Sequence, residues 1–151
     1  MKKQIVIGLF LLIAGISQSF ANGEENVDAQ VLHSFRKDFS SAQNVQWSNG
    51  KNFVKATFTM DDHVVVAYYN DKAELLGVTR NITSNQLPMN LLSDVRKNYK
   101  QYWIADLFEM AANGETAYYI TVENGDQKVV LKSVGAHGWQ VFKKERKQDI
   151  Q

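Results

Sequence analysis

Two segments of the chain place their apolar residues at helical spacing. The first segment carries Val27, Val31, Leu32, Phe35 and Phe39, and the second carries Leu91, Leu92, Val95 and Tyr99. Residues three or four apart share one face of an α-helix, so each segment predicts an amphipathic helix whose apolar stripe is covered by another element. The first helix is expected to begin after Asn26, a capping residue type, and to end near Ser40. The second is expected to begin at Pro88, because proline suits the first helical turn.

The rest of the pattern alternates with a period of two, which is typical of β-strands. The predicted strands span residues 45–47, 54–60, 64–69 and 75–82 after the first helix, and residues 102–110, 116–123, 128–134 and 138–142 after the second. Tight-turn pairs separate several of them, at Asn49-Gly50, Asp61-Asp62, Asn113-Gly114 and Asn124-Gly125. Asn-Gly is a strong hairpin signal because both residues tolerate positive φ. We therefore expect antiparallel strands joined by hairpins.

The order of elements is the same in both halves of the chain. Residues 53–70 contain two β-rich runs around a short polar turn, and a similar block returns at residues 117–134, each behind a predicted helix. The pattern therefore predicts two tandem α-β-β-β-β repeats, about 26–82 and 86–143, with a charged C-terminal tail over residues 143–151. The expected fold class is α+β, with one antiparallel sheet of about eight strands, both helices packed on one face and the other face open.

The N-terminus has the features of a signal peptide. Lys2 and Lys3 precede an apolar run over residues 5–16 that is short for a bilayer span, and Ser19-Phe20-Ala21 is typical of a cleavage site. Residues 1–21 are thus predicted to be removed after Ala21, which leaves residues 22–151 as a single domain in the periplasm or secreted. Because the sequence has no cysteine, neither a lipoprotein anchor nor a disulfide is expected.

Charge and chemistry point away from nucleic acid and from catalysis. Without Lys2 and Lys3, 15 of the 17 basic residues remain against 16 acidic ones, so no bulk attraction to nucleic acid or to an anionic membrane is expected. His33, His63 and His137 lack metal-ligand spacing, and the acid pairs lie in predicted turns, where aspartate is common. The sequence has no nucleophile elbow and no phosphate loop. We therefore predict a protein that is not an enzyme and has neither a metal nor a cofactor.

Strand alternation indicates where a partner would bind. Counting along the strand over residues 54–60 assigns Val54, Ala56 and Phe58 to the helix side. The same counting assigns five residues to the open sheet face, which are Phe53, Lys55, Tyr69, Tyr119 and Lys132. Exposed aromatic residues bordered by charge resemble a protein-interaction patch. Tyr69 and Tyr119 could instead be cross-strand partners that stiffen the sheet, and the alternation does not decide between the two.

Six short motifs lie along residues 31–142. They are Phe35-x-x-x-Phe39, Ala42-x-Asn44-Val45-x-Trp47, the strand over residues 53–58, Tyr68-Tyr69-Asn70-Asp71, Leu87-Pro88 and Tyr99-x-x-Tyr102. Together they resemble the PepSY-like proteins of Bacteroidetes, which are related in architecture to beta-lactamase inhibitory protein. One position departs from that pattern, because Ala73 stands in a turn where glycine is expected, whereas the corresponding turn in the second half keeps Gly138.

The resemblance implies a small exported binding domain without catalytic residues. PepSY-type domains occur in protease propeptides and are thought to restrain peptidases, and the inhibitory protein binds an enzyme on its concave sheet. The expected function is that of an exported, non-catalytic protein-binding domain whose partner is another exported protein. Inhibition or regulation of a peptidase or hydrolase through the open sheet face is one form of it. The alternative is a periplasmic carrier or sensor of a small ligand, with its pocket between sheet and helices. The oligomeric state stays open.

Overall fold

The structure is a computed structural model that describes residues 23–147. The predicted signal peptide over residues 1–21, its cleavage after Ala21 and the last residues of the predicted tail lie outside this range. Within it, the helices are α1 (Ala29–Asp38) and α2 (Met89–Asn98), each preceded by a short 3-10 turn. The strands are β1 (Gln43–Asn49), β2 (Val54–Met60), β3 (His63–Tyr69), β4 (Leu75–Asn81), β5 (Trp103–Ala112), β6 (Glu115–Glu123), β7 (Gln127–Val134) and β8 (Gln140–Arg146).

The strands of residues 23–147 form one antiparallel sheet in the order β1-β2-β3-β4-β5-β6-β7-β8. This confirms the predicted α+β class, with one eight-stranded sheet and two helices. The chain divides into two compact units, Met1–Val78 and Thr79–Gln151, which we call unit 1 and unit 2. The division falls within β4. A single domain over residues 22–151, made of repeats at about 26–82 and 86–143, stays a prediction.

Local hydrogen bonds mark both ends of α1, and a proline marks the start of α2. The carboxylate of Asp28 accepts from the backbone N–H of Gln30 at 2.7 Å, so Asp28 caps α1 instead of the expected Asn26. The N–H of Phe39 donates to the Phe35 carbonyl at 2.8 Å and closes α1 at Asp38, two residues before the expected end. Pro88 precedes α2, in agreement with its predicted role as the start of that helix.

The core of unit 1 is a cluster of aromatic rings between α1 and its strands. Phe35 of α1 contacts Trp47 of β1 and Phe58 of β2, with ring centroids 4.9 Å and 5.1 Å apart and edge-to-face geometry in both pairs. Aromatic pairs favour this geometry because the positive ring edge meets the negative ring face. Ala56 and Phe58 lie in this cluster, and Val54 packs against it, which agrees with their predicted place on the helix side.

The core of unit 2 is more aliphatic and is tied to α2 by polar contacts. Its buried members are Ile82, Leu87, Val95, Leu107, Ile120, Val122, Val129 and Leu131. The indole N–H of Trp139 donates to the Leu91 carbonyl at 2.9 Å, and the Asn90 side-chain amide donates to the Ala136 carbonyl at 2.8 Å. These two bonds join the first turn of α2 to the connection between β7 and β8.

The basic segment after residue 142 is part of the sheet. The predicted charged tail began at residue 143, but β8 continues to Arg146, with Lys143 opposite Val130 and Arg146 opposite Gln127. The prediction was wrong because the side chains of residues 143–146 are polar and exposed on both faces. No alternation of apolar and polar residues therefore marks this part of the strand in the sequence. No helix within residues 23–147 is long and apolar enough to cross a membrane.

Candidate functional site

The register of β2 and β3 decides which face each predicted site residue occupies. Tyr69 lies directly opposite Val54, and Tyr68 lies directly opposite Lys55. Opposite residues of an antiparallel pair project to the same face. Tyr69 therefore lies on the helix side with Val54, and its predicted place on the open face is wrong. The physical reason is the two-residue turn at Asp61-Asp62, which pairs every odd-numbered residue of β2 with an even-numbered residue of β3.

Tyr69 is a structural residue in the core of unit 1. Its exposed fraction is 0%, and its hydroxyl donates to Oδ2 of Asp38, the last residue of α1, at 3.1 Å. Burial raises the pKa of the Tyr69 hydroxyl far above its usual value, and the adjacent negative charge of Asp38 raises it further. The phenol therefore stays neutral and acts as a hydrogen-bond donor.

Phe53 and Lys55 lie on the helix-free side of unit 1, where their aromatic neighbour is Tyr68. The Phe53 ring lies 5.8 Å from the Tyr68 ring, and both side chains are buried, so the expectation that Phe53 is exposed is wrong. Gly50 explains part of this burial, because a Cβ at that position would lie 2.2 Å from Cε1 of Phe53. Lys55 is partly buried, and burial lowers the pKa of its ammonium group. Tyr68 was not among the predicted site residues, although odd–even counting across the turn at Asp61-Asp62 places it beside Lys55.

The accessible apolar side chain on this side of unit 1 is Val64, with 53% of its surface exposed. Val64 lies opposite Thr59, and the half-buried Val66 lies opposite Thr57. We call Lys55, Thr57, Thr59, Val64 and Val66 the strand face of unit 1. It presents two valines bordered by two hydroxyls and one ammonium group, which is the composition of a small protein-contact surface with an apolar centre and a polar rim.

In unit 2 the register places Tyr119 directly opposite Lys132, in agreement with their predicted place on one face. Tyr119 lies between Phe108 of β5 and Lys132 of β7, on the side opposite the core residue Ile120. The Phe108 ring stacks on Tyr119 at 5.0 Å, Nζ of Lys132 lies 5.4 Å from the ring centroid, and Phe142 meets the ring edge-on. This packing leaves Tyr119 0% exposed, so its expected exposure is wrong. Burial raises the pKa of the Tyr119 hydroxyl to about 12.

Lys132 is half-buried and borders a surface pocket of about 400 Å³. The pocket is lined by Lys132, Val134, His137, Gly138, Trp139 and Gln140, around the connection between β7 and β8. Unit 1 has a second surface pocket, of about 470 Å³, beside Phe53 at the turn between β1 and β2. Neither pocket lies between a helix and its strands, where the carrier hypothesis expected one. Among residues 23–147, no three His, Asp or Glu side chains are grouped to hold a metal ion.

Comparison with known proteins identifies the fold. The chain matches no protein-family model, and it matches no curated protein sequence. It is similar to the crystal structure of a DUF2874 family protein from Bacteroides uniformis ATCC 8492, with a TM-score of 0.71 and 14% identity over 80% of this chain and 89% of that chain. A BLIP-like protein from Bacteroides fragilis NCTC 9343 matches with a TM-score of 0.66 and 18% identity over 82% and 90%.

A third similar structure is that of a proposed periplasmic protein from Bacteroides eggerthii DSM 20697, with a TM-score of 0.71 and 14% identity over 85% of this chain and 90% of that chain. The three structures share the fold of this chain across most of its length. At these identities the likeness concerns the fold alone. The more specific resemblance to PepSY-like proteins stays a prediction.

Proposed function

We propose that this chain is an exported, non-catalytic protein-binding domain that contacts another exported protein through the helix-free sides of its strands. The proposal rests on the strand face of unit 1, where Val64 and Val66 form an accessible apolar centre within a polar rim. The similar fold of a BLIP-like protein and of a proposed periplasmic protein supports it, as does the signal-peptide pattern of residues 1–21. Inhibition of a peptidase or hydrolase is the form of binding that the PepSY-like resemblance favours.

The structure changes which residues would contact a partner. Tyr69, Tyr119 and Phe53 are buried, so they would support the surface without forming it. Lys55 and Lys132 keep accessible parts and stay in the proposed contact set. Lys55 would supply electrostatic selection at the rim of the strand face of unit 1, while the valines would supply its desolvated centre. Lys132 would supply the same kind of selection at a contact made by unit 2.

The carrier hypothesis receives less support. A ligand pocket between α1 and its strands would occupy the space in which Phe35, Phe39 and Phe58 are in ring contact, with centroids 4.9 to 5.5 Å apart. A filled core leaves no room for a guest without repacking. A thermal-shift screen with peptides, glycans and lipids separates the hypotheses, because a carrier would be stabilised by a small molecule without any protein partner.

The central experiment measures partner capture by surface variants of the mature chain. The bait proteins are the wild type, Val64→Glu, Lys55→Glu/Lys132→Glu and the control Met89→Glu, and retained envelope proteins are quantified by mass spectrometry. Val64→Glu places a charge at the centre of the strand face and should abolish retention of a specific partner. Met89 is an exposed apolar residue on α2, so its variant should retain the partner.

Each variant is first compared with the wild type in thermal unfolding, so that lost capture is not confused with lost folding. A partner retained equally by the wild type, Val64→Glu and the lysine double variant would refute the proposed surface. Adding the purified chain to the captured enzyme, where the partner is one, then tests inhibition directly. Unchanged turnover at saturating chain would leave binding in place and would refute inhibition.

A further inference from the structure

Strand β8 is the last strand of the sheet formed by residues 23–147, and one of its sides has no strand partner among them. Within the described range 23–147 it pairs with β7 alone. From Lys143 to Arg146 the pairing with β7 is regular, because the register shift lies before it, between Val130 and Leu131. Along such an edge, alternate residues direct their backbone N–H and C=O groups away from the sheet, and an extended peptide can add to them as a further strand.

The edge of β8 carries unpaired positive charge on one side of the sheet. Lys144 and Arg146 lie opposite Val129 and Gln127 on the helix side, and neither forms an ion pair within residues 23–147. Lys143 lies on the other side, where its ammonium group is 2.5 Å from the carboxylate of Glu145. The cations available to a partner are therefore those of Lys144 and Arg146, two residues apart on one side.

The net positive charge of unit 2 also favours an acidic partner. Its described residues, 79–147, include ten Lys and Arg against seven Asp and Glu, whereas the described residues of unit 1, 23–78, include five against eight. A neutral strand could bond only to the backbone of this edge and a basic strand would be repelled, whereas an acidic strand would also pair with the cations. A second copy of β8 would bring cation rows together, and like charges directly opposite each other on neighbouring strands are destabilising. Lysines on an edge strand are a common device against such self-pairing.

The end of the strand is held in place by its neighbours. The N–H of Lys147 donates to the Asp126 carbonyl at 2.8 Å. Its ammonium group lies 2.8 Å from a Glu123 carboxylate oxygen and 4.7 Å from the centroid of the Trp103 ring. Because these contacts order the residue that follows β8, the edge up to Arg146 is pre-organised, which lowers the entropic cost of adding a strand.

We propose that the free edge of β8 binds an acidic, extended peptide segment by strand addition. The carboxylates of the peptide would lie at alternate positions and would pair with Lys144 and Arg146, while its backbone would bond to the edge. This edge shares no residue with the strand face of unit 1, so the two proposals can fail independently.

The test uses the mature chain and a synthetic peptide, acetyl-Thr-Glu-Val-Glu-Val-Glu-Thr-amide. In an NMR titration we expect shifts concentrated at the backbone amides of residues 143–146, together with slower hydrogen exchange of alternate amides there. Two control peptides separate charge from strand pairing, one with lysine in place of every glutamate and one with proline in place of both valines. Neither should produce these changes, because the first is repelled and the second cannot pair.

Protein variants then locate the site. Lys144→Glu/Arg146→Glu should weaken binding by roughly tenfold or more, since two charge pairs become repulsive. The neutral Lys144→Gln/Arg146→Gln should lose less, which guards against a folding defect in the charge-reversed variant. The matched control Lys51→Glu/Lys72→Glu reverses two exposed lysines of unit 1 and should bind as the wild type does, as should Val64→Glu.

The outcomes are decisive in each arm. If the proline peptide binds as tightly as the acidic peptide, the interaction is non-specific electrostatic attraction, and strand addition is refuted. Equal binding by Lys144→Glu/Arg146→Glu, or shifts centred outside residues 143–146, would overturn the site. No change at millimolar peptide would mean that the cations serve only to keep β8 from pairing.

Discussion

The Tyr69 hydroxyl donates a hydrogen bond of 3.1 Å to the carboxylate of Asp38, the last residue of α1. This contact joins the C-terminal end of the helix to the end of β3 across the core of unit 1. It also gives a physical role to a tyrosine that alternation alone assigned to the opposite face. The pair can be tested directly for its contribution to stability.

Tyr69→Phe should lower the free energy of unfolding by about 1 kcal/mol, because it removes one hydrogen bond to an exposed acceptor and leaves the ring packing intact. Asp38→Ala should cost a similar amount. In the double variant the two losses should not add, since both remove the same bond. Urea unfolding of the four proteins measures the coupling, and strictly additive losses would show that the bond contributes nothing.

The buried tyrosines Tyr69 and Tyr119 also predict a loss of stability in alkali. Folding raises the pKa of Tyr69 and Tyr119 above the usual value of 10.0, to about 12 for Tyr119. Above pH 10 the unfolded chain releases these protons while the folded chain keeps them, so the free energy of unfolding should fall as the pH rises. Below pH 10 both states are protonated and this contribution is constant.

Unfolding free energies measured by urea between pH 8 and pH 11.5 check this expectation. Tyr69→Phe/Tyr119→Phe should flatten the decline, because phenylalanine has no proton to release. An equally steep decline in the double variant would assign the alkaline sensitivity to other groups. The other tyrosines are present in all the proteins compared, so their contribution cancels in the difference.

The two tryptophans Trp47 and Trp103 should differ widely in their effect on stability. Trp47 is 1% exposed and packs against Phe35, so Trp47→Ala should cost about 3 to 5 kcal/mol. Trp103 is 53% exposed and contacts Lys147 through its ring face, so Trp103→Ala should cost about 1 kcal/mol or less. Denaturant unfolding of both variants measures the contrast, and equal losses would contradict the assigned burial.

The buried indole N–H of Trp47 can be tested separately. Its indole N–H has no hydrogen-bond acceptor among residues 23–147. Trp47→Phe removes that buried donor along with part of the ring, so it should recover most of the stability lost in Trp47→Ala. A loss as large as that of the alanine variant would indicate that the N–H is bonded, for example to a buried water molecule.

The sequence predicted a feature correctly where the residue pattern of a single helix or strand was sufficient to place it. Helical spacing located α1 and α2, and alternation within β2 placed Ala56 and Phe58 against α1. It failed where an assignment depended on two strands at once. The face of Tyr69 follows from the turn that joins β2 to β3, and the burial of Tyr119 follows from Phe108 and Lys132 on its neighbouring strands. No pattern within a single strand contains that information.

Strand β8 shows why an edge strand is difficult to predict from the sequence. Its exposed polar residues have no apolar side to reveal a strand, and the strand exists because β7 supplies hydrogen-bond partners. The Asn113-Gly114 signal was more reliable, since both residues adopt positive φ between β5 and β6. Asn49-Gly50 and Asn124-Gly125 also lie where antiparallel strands are joined, but without positive φ. Turn chemistry is local and can be predicted from the residues, whereas an edge strand is defined by its neighbour.

The turn between β3 and β4 offers a stabilising substitution. Ala73, which stands where the PepSY-like pattern has glycine, adopts a left-handed conformation with φ of 59°. Its N–H donates to the Asn70 carbonyl, and the Asn70 side chain accepts from the N–H groups of Lys72 and Glu74. These bonds hold the turn in a conformation that is strained for any residue with a Cβ.

Ala73→Gly should therefore raise the free energy of unfolding by about 0.5 kcal/mol, because relief of roughly 1 to 2 kcal/mol of left-handed strain exceeds the entropy that glycine adds to the unfolded chain. Gly114→Ala is the opposite experiment. Gly114 has φ of 77° and nothing within 4 Å of an added Cβ, so the cost of about 1 kcal/mol would be conformational and not steric. Urea unfolding should move the two midpoints in opposite directions, and a destabilised Ala73→Gly would show that the Asn70 bonds already relieve the strain.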